Sequence, residues 1–141
     1  MPTQAYLPTP DKNLWQSLDW EPSCEQLEQL INLQVQLREW NKSINLTRLS
    51  EGDDYWISQI LDSLWPIKAE LKTPTKSLRC IDVGTGCGFP GLAIAIALPG
   101  AEVSLIESVH KKTTAVYQMA ASVGLNKRVK VFTERVELTG H

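Results

Sequence analysis

Four glycines stand close together in CIDVGTGCGFPGLAIAIA, residues 80–97, between two apolar runs. Gly84, Gly86 and Gly88 can turn the chain tightly and leave bare backbone against which a ligand can rest. Gly86, Gly88 and Gly91 also form a GxGxxG register, which suits a dinucleotide pyrophosphate at a helix N-terminus. The alternative without a ligand is a tight strand-to-helix turn. We favour the register that begins at Gly84, because this glycine directly follows the predicted strand.

An acidic residue, Glu107, ends the next strand-like run, SLIES. In a strand–helix–strand unit this position lies beside the glycine loop, where a carboxylate commonly binds two ribose hydroxyls. The glycine loop, the strand and the acid occur in the order expected for a nucleoside-bearing cofactor. The pattern does not distinguish a nicotinamide dinucleotide from S-adenosylmethionine.

The elements that must position these residues alternate between strands and helices. Short β-branched runs predict strands in SLRCIDV, AEVSLIES and RVKVFTE, and FPGLAIAIALPG and HKKTTAVYQMAASVG predict helices. Gly124 is the predicted C-cap of the second of these helices. Its apolar stripe consists of Ala115, Val116, Met119, Ala120 and Val123. The alternation predicts an α/β fold with a doubly wound parallel sheet, whose ligands bind at the carboxyl ends of the strands.

Residues 1–76 are predicted to form a helical N-terminal subdomain, and residues 77–141 to form the sheet-containing part. Ser23 and Gln26 form a capping box at the start of the first long helix. The apolar positions of that helix are Leu27, Leu30, Ile31, Val35, Leu37 and Trp40. The run DYWISQILDSLW predicts a further helix. Its single buried face would carry Ile57, Ile60, Leu61 and Leu64. The segment KAELKTPTKS then predicts a linker or surface loop.

Composition excludes several classes of protein. The 141 residues are 43% hydrophobic and 21% charged with a formal net charge of −2, which gives no global attraction to nucleic acid or membranes. No apolar run approaches the roughly 18 residues of a membrane span, and the opening segment lacks signal-peptide features. We therefore expect a cytoplasmic protein with no membrane partner. Cys24, Cys80 and Cys87 lack metal-ligand spacing, which predicts reduced thiols and no metal site.

Several motifs together resemble the glucose-inhibited division protein B family, from about residue 24 to the end of the chain. They are WNKSINLT at 40–47, QILDSL at 59–64, DVGTGCGFPGLAIA at 82–95, LIES with KK at 105–112 and ERVE at 134–137. The resemblance implies a class I, Rossmann-like methyltransferase that transfers a methyl group from S-adenosylmethionine to N7 of a guanine in 16S ribosomal RNA. The family usually carries histidine before ILDSL, where this chain has Gln59.

The resemblance also implies roles for single residues in cofactor binding. Gly84, Gly86 and Gly88 would hold the methionine part of the cofactor, with Phe89 packing nearby. The resemblance places Glu107 and Ser108 against the ribose and adenine, and Val136 and Glu137 beside the adenine. The alternatives are that Phe89 fills the core and that Ser108 and Glu137 contact only water.

No catalytic residue is assigned, since guanine N7 carries a lone pair and no proton. The reaction then needs mainly alignment of the nucleophile, the methyl carbon and the sulfur. A general base is not required, and we expect His110 to be a solvated surface residue.

The resemblance implies small-subunit ribosomal RNA, or the assembled small subunit, as the partner, and local basic clusters are compatible with such a partner. One basic cluster consists of Lys111, Lys112, Lys127, Arg128, Lys130 and Arg135, and Lys42 with Arg48 adds a second group. Such clusters neutralise phosphates and give salt-sensitive binding. The alternative is a solvated protein face.

Three strands are predicted before His141, whereas the sheet of this family has seven. We therefore expect an incomplete fragment that bears the cofactor site, has doubtful activity of its own and self-associates through an uncovered sheet edge. A nicotinamide-dependent oxidoreductase fragment and a non-catalytic cofactor-binding or interaction module remain the alternatives.

Overall fold

The computed structural model describes residues 10–135, and their elements follow the predicted order. The helices are α1 (Lys12–Leu18), α2 (Cys24–Ile44), α3 (Gly52–Tyr55), α4 (Asp62–Leu64), α5 (Gly91–Ala97) and α6 (His110–Ser122). The strands are β1 (Leu78–Val83), β2 (Ala101–Glu107) and β3 (Val129–Thr133). A π-helical turn, Trp56–Leu61, joins α3 to α4, and two 3-10 turns, Trp65–Ile67 and Glu70–Lys72, precede β1.

The three strands form one parallel sheet in the order β1-β2-β3. Val83 lies opposite Ile106 of β2, which in turn lies opposite Phe132 of β3. Helices α5 and α6 connect successive strands, as parallel pairing requires. The predicted α/β fold with a parallel sheet is confirmed in these residues.

The two faces of the sheet have different surroundings. Side chains such as Val103, Leu105 and Val129 are buried on the face that α5 and α6 cover. On the opposite face Ile81 is 69% exposed, Val83 50% and Phe132 40%. Within residues 10–135 this second face has no helix over it, and β1 pairs only with β2. The described sheet therefore presents the apolar surface and open edge that the three-strand pattern predicts.

Helix α2 begins with the predicted capping box. Ser23 Oγ accepts from the Gln26 amide at 3.1 Å, and the Ser23 amide donates to Gln26 Oε1 at 2.9 Å. Gln26 Nε2 also donates to the Ile96 carbonyl at 2.9 Å, and Gln29 Nε2 donates to the Val123 carbonyl at 2.8 Å. These contacts tie α2 to the ends of α5 and α6, so the helical half and the sheet half share one hydrophobic core.

The second predicted helix forms, but its buried face differs from the prediction. Ile60 and Leu64 are fully buried, whereas Leu61 is only partly buried and Ile57 is 46% exposed. Tyr55, Trp56 and Gln59 take the inward positions instead. The π-helical turn, with its i→i+5 bonding, alters the order of side chains around the helix. The two aromatic rings also bury more apolar area than an isoleucine can.

Arg128 has a structural role that the sequence did not indicate. Its guanidinium donates to the carbonyls of Ala95, Leu98 and Ala101 at 2.9, 3.2 and 3.0 Å. These carbonyls lie at the end of α5 and the start of β2, where helix termini leave acceptors unpaired. Arg128 therefore joins two elements of the fold, and counting it among free RNA-binding cations was wrong.

Among residues 10–135, none of the helices combines the length and the apolar character that a membrane span requires.

Replacement of Arg128 by methionine tests the structural role of Arg128 at the end of α5. Methionine keeps much of the aliphatic stem and removes every hydrogen-bond donor. We expect Arg128→Met to lower the free energy of unfolding by about 2 kcal/mol, since hydrogen bonds to charged groups contribute about 1.5–3 kcal/mol. Urea denaturation measures the change. Lys127→Met, at the exposed neighbouring position, is the matched control and should shift stability by less than about 0.5 kcal/mol. Equal effects of the two substitutions would contradict the assignment.

Candidate functional site

The glycine loop, residues 84–90, leaves β1 at the carboxyl end of the sheet and leads into α5. Gly84, Gly86 and Gly88 have φ angles of +69°, +60° and +97°, a left-handed conformation that side-chain-bearing residues rarely adopt. The amides of Gly84 and Thr85 both donate to the Ile106 carbonyl, at 2.8 and 3.0 Å. The backbone itself therefore requires the three predicted glycines, and the loop begins fixed to β2.

Gly91, the fourth glycine, serves close packing. An added Cβ there would clash with Leu105 Cδ2, so a larger residue would force the buried Leu105 side chain to move. This is the role of the third glycine in dinucleotide fingerprints. The structure is therefore compatible with the register that begins at Gly84 and with the GxGxxG register that begins at Gly86. The loop geometry alone does not distinguish between the cofactors that the two registers predict.

Glu107 lies beside the loop at the end of β2 and is 7% exposed. Its Oε1 accepts from the Gly86 amide at 3.1 Å, and its Oε2 accepts from the Val109 amide at 2.9 Å. A carboxylate oxygen can accept more than one hydrogen bond. Glu107 therefore shapes the loop and still has acceptor capacity for the hydroxyls of a ligand.

Asp82, to which sequence reasoning assigned no role, braces the other side of the loop. Its Oδ2 accepts from Thr85 Oγ1 at 2.6 Å and from the Gly91 amide at 3.1 Å. Burial raises the pKa of the Asp82 carboxyl, and its hydrogen bonds from Thr85 and Gly91 partly oppose that rise. The sequence does contain a signal for this role, because Asp82 is an acid at an inward-facing position of β1, two residues before Gly84.

Cys87 and Phe89 point into the core, each with 9% exposure. The Phe89 ring meets Tyr55 edge-on, with 6.2 Å between ring centroids. Phe89 thus belongs to the hydrophobic core, and its packing near the cofactor stays a prediction. Cys87, like Cys24 and Cys80, is a free cysteine.

The remaining predicted cofactor residues have different outcomes. Ser108 is exposed directly after β2, at the carboxyl end of the sheet. Val136 and Glu137 lie outside the described residues, and their roles stay predictions. The described residues hold no group of three or more histidine, cysteine or acidic side chains that could bind a metal.

The basic residues do not form one cluster. Lys111 and Lys112 lie in the first turn of α6, at the carboxyl end of the sheet, beside the exposed His110. Lys127 precedes β3, at the opposite end, and Lys130 lies on the open sheet face. Closeness in sequence predicts one group. In the structure, however, the length of a strand separates Lys111 and Lys112 from Lys127.

A groove of about 470 Å³ also lies on the open sheet face. Its lining includes Ile81, Ser104, Lys130 and Phe132 and contains no residue of the glycine loop. The groove is thus distinct from the site at the carboxyl ends of the strands.

The parallel sheet, the glycine loop after β1 and the acid at the end of β2 define a Rossmann-like α/β protein. The chain belongs to the rRNA small subunit methyltransferase G family, whose family model matches residues 25–141. This confirms the predicted family and the class I methyltransferase fold.

Named relatives agree with the family model. The chain is 62% identical over 133 residues to a protein of Synechococcus sp. (strain CC9902) named ribosomal RNA small subunit methyltransferase G. It is 59% identical over 140 residues to a protein of the same name from Synechococcus sp. (strain WH7803). These alignments cover 94% and 99% of this chain and 55% of each relative. The chain thus spans about half the length of the curated relatives it matches.

Asp82→Asn tests the burial of the loop-bracing carboxyl group. The pKa of Asp82 is higher in the folded protein than in the unfolded chain. The protonated Asp82 carboxyl group therefore contributes fully to stability below the unfolded pKa of about 4. This contribution is lost as the pH rises through the folded pKa. We expect the unfolding free energy of the wild type, relative to Asp82→Asn, to decrease as the pH rises above about 4. Urea denaturation across a pH series measures the difference, with Asp53→Asn in α3 as an exposed control. A wild-type advantage that is constant with pH would contradict this prediction.

Proposed function

We propose that the glycine loop and Glu107 bind S-adenosylmethionine, and that the site serves methyl transfer to N7 of a guanine in small-subunit ribosomal RNA. The observation that carries the proposal is the hydrogen bond of the Glu107 carboxylate to the Gly86 amide, beside a loop of three left-handed glycines. Membership of the rRNA small subunit methyltransferase G family supports the choice of this cofactor over a nicotinamide dinucleotide.

The loop has room for the proposed ligand. An added Cβ at Gly84 or Gly86 would meet no atom within 4 Å, so space lies open next to the backbone at both glycines. The methionine part of the cofactor would rest there, and Glu107 would accept hydrogen bonds from the ribose hydroxyls, with Ser108 near the adenine. When bound, S-adenosylmethionine supplies an electrophilic methyl group.

The residues described here contribute orientation in this proposal. Glu107 and Asp82 fix the loop from the sheet side, and the loop in turn fixes the position of the ligand. Since guanine N7 has no proton to lose, no residue is assigned as a general base. Alignment is the main catalytic contribution that such a site can make.

RNA would approach from the carboxyl end of the sheet, where the glycine loop opens. Lys111 and Lys112 lie at this end, in the first turn of α6. This turn contains no acidic residue. The position of the two lysines would let them contact phosphates near the site. Lys127, at the other end of the strands, is not placed to do so.

Three further expectations remain proposals: the domain boundary near residue 76, a cytoplasmic location, and self-association through the open edge of β1. The position of β1 at the edge of the described sheet, where it pairs only with β2, supports the last of them.

Binding of S-adenosylmethionine to the wild type, with NAD as the competing candidate, tests the cofactor site by isothermal titration. We expect Glu107→Gln to weaken S-adenosylmethionine binding by about ten-fold, because it removes charge-assisted hydrogen bonds to the ribose. Glu102→Gln, an exposed position on the same strand, is the matched control and should bind like the wild type. Tighter binding of NAD, or full affinity in a folded Glu107→Gln variant, would contradict the proposed site.

The RNA proposal is tested by the salt dependence of binding to a small-subunit RNA fragment, followed by fluorescence anisotropy. We expect the paired substitutions Lys111→Ala and Lys112→Ala to reduce the slope of log K against log salt by about one for each lost phosphate contact. Lys127→Ala serves as the control at the opposite end of the sheet. A larger loss for Lys127→Ala would place the RNA surface elsewhere.

A further inference from the structure

The segment that follows α2 is folded onto itself by Asn41. The Asn41 side chain donates from Nδ2 to the Thr47 carbonyl at 2.9 Å and accepts at Oδ1 from the Thr47 amide at 3.0 Å. The backbone turns at Asn45, whose φ is +49°. These bonds fix the Thr47 hydroxyl oxygen, which accepts from the Leu49 amide at 3.1 Å. The WNKSINLT motif thus holds the Thr47 hydroxyl group in a fixed position shortly after the end of α2.

Gln59 connects this hydroxyl group to the glycine loop. It lies on the π-helical turn Trp56–Leu61 and is 7% exposed. Its Nε2 donates to Thr47 Oγ1 at 3.2 Å and to Cys87 Sγ at 3.4 Å. Cys87 stands between Gly86 and Gly88, two of the three left-handed glycines of the loop. A single buried amide group therefore joins the two halves of the chain at the loop.

We propose that Gln59 is a positioning residue, which holds the glycine loop in its left-handed conformation through Cys87. Glycine has the greatest backbone freedom, so a loop with three glycines needs bonds from outside itself. Asp82 and Glu107 supply such bonds from the sheet. Gln59 supplies one from the helical half, next to the edge-on contact of Tyr55 with Phe89. The loop is therefore held from both sides.

The consequence for the ligand rests on the proposed function. If Gln59 restrains the loop, its loss raises the ratio of open to closed loops, and apparent affinity falls in proportion to the fraction of molecules that keeps the closed, binding-competent loop. One buried hydrogen bond contributes a net amount equivalent to about a three- to ten-fold change in such a population. We expect a change of that size in loop opening, and a weakening of S-adenosylmethionine binding that does not exceed it.

Hydrogen exchange of the amides in residues 84–88, followed by mass spectrometry, tests the inference without a ligand. Gln59→Met keeps the length of the side chain and removes the donor, so we expect exchange in the loop to quicken about three- to ten-fold. Gln59→His restores an N–H donor and should return exchange towards the wild-type rate. Gln118→Met, the same change at an exposed position of α6, should leave the loop unaffected.

A double-substitution cycle sharpens the test and keeps it informative if Gln59→Met folds poorly. Cys87→Ala removes the acceptor from the other side of the same contact and should also quicken loop exchange. Because both changes remove one interaction, the double variant should exchange little faster than either single variant. Additive effects, or equal acceleration in α6 and in the loop, would overturn the positioning role in favour of a general effect on stability.

Titration with S-adenosylmethionine separates this inference from the proposed function. Faster loop exchange in Gln59→Met supports both when the wild type binds S-adenosylmethionine and the variant binds it more weakly by no more than the same factor. Unchanged loop exchange in Gln59→Met overturns the inference, whatever the affinity. If the wild type does not bind S-adenosylmethionine, the proposed function fails, while the exchange rates still decide whether Gln59 holds the loop.

Discussion

Two carboxylates near the ends of β1 and β2 hold the glycine loop in place, one at its middle and one at its junction with α5. Asp82 accepts from the Gly91 amide at the start of α5, and Glu107 accepts from the Gly86 amide in the middle of the loop. A run of backbone with three glycines has little conformational preference of its own. Bonds from fixed partners on β1 and β2 therefore decide where the loop lies.

These carboxylates need the surrounding fold in order to act. Burying a carboxylate is costly unless hydrogen bonds satisfy it, and the raised pKa of Asp82 reflects that cost. The packing of Gly91 against Leu105 brings α5 close enough for the Gly91 amide to reach Asp82. At the far end of the sheet Arg128 joins the end of α5 to β2. Packing and polar contacts thus depend on each other along the whole length of α5.

The helical half is part of the same unit, because α2 and the segment from α3 to α4 pack against the helices of the sheet half and share their core. Gln26, Gln29 and Gln59 each make a polar contact across the two halves. The open face of the described sheet differs, since it has apolar side chains without such partners. The glycine loop lies where the two halves meet, which accounts for its support from both.

The sequence by itself determined the local properties of this protein. The capping box at Ser23, the apolar stripe of α6, the three strands and the need for glycine at three loop positions all follow from residue type and short-range spacing. The tertiary structure decided the partners of the polar side chains. Arg128 binds carbonyls of α5, Gln59 turns inward where Ile57 was expected, and Phe89 meets Tyr55 in the core. Helix and strand patterns repeat over a few residues and can be read locally, whereas each of these contacts joins positions distant in the chain and exists only once the core has packed.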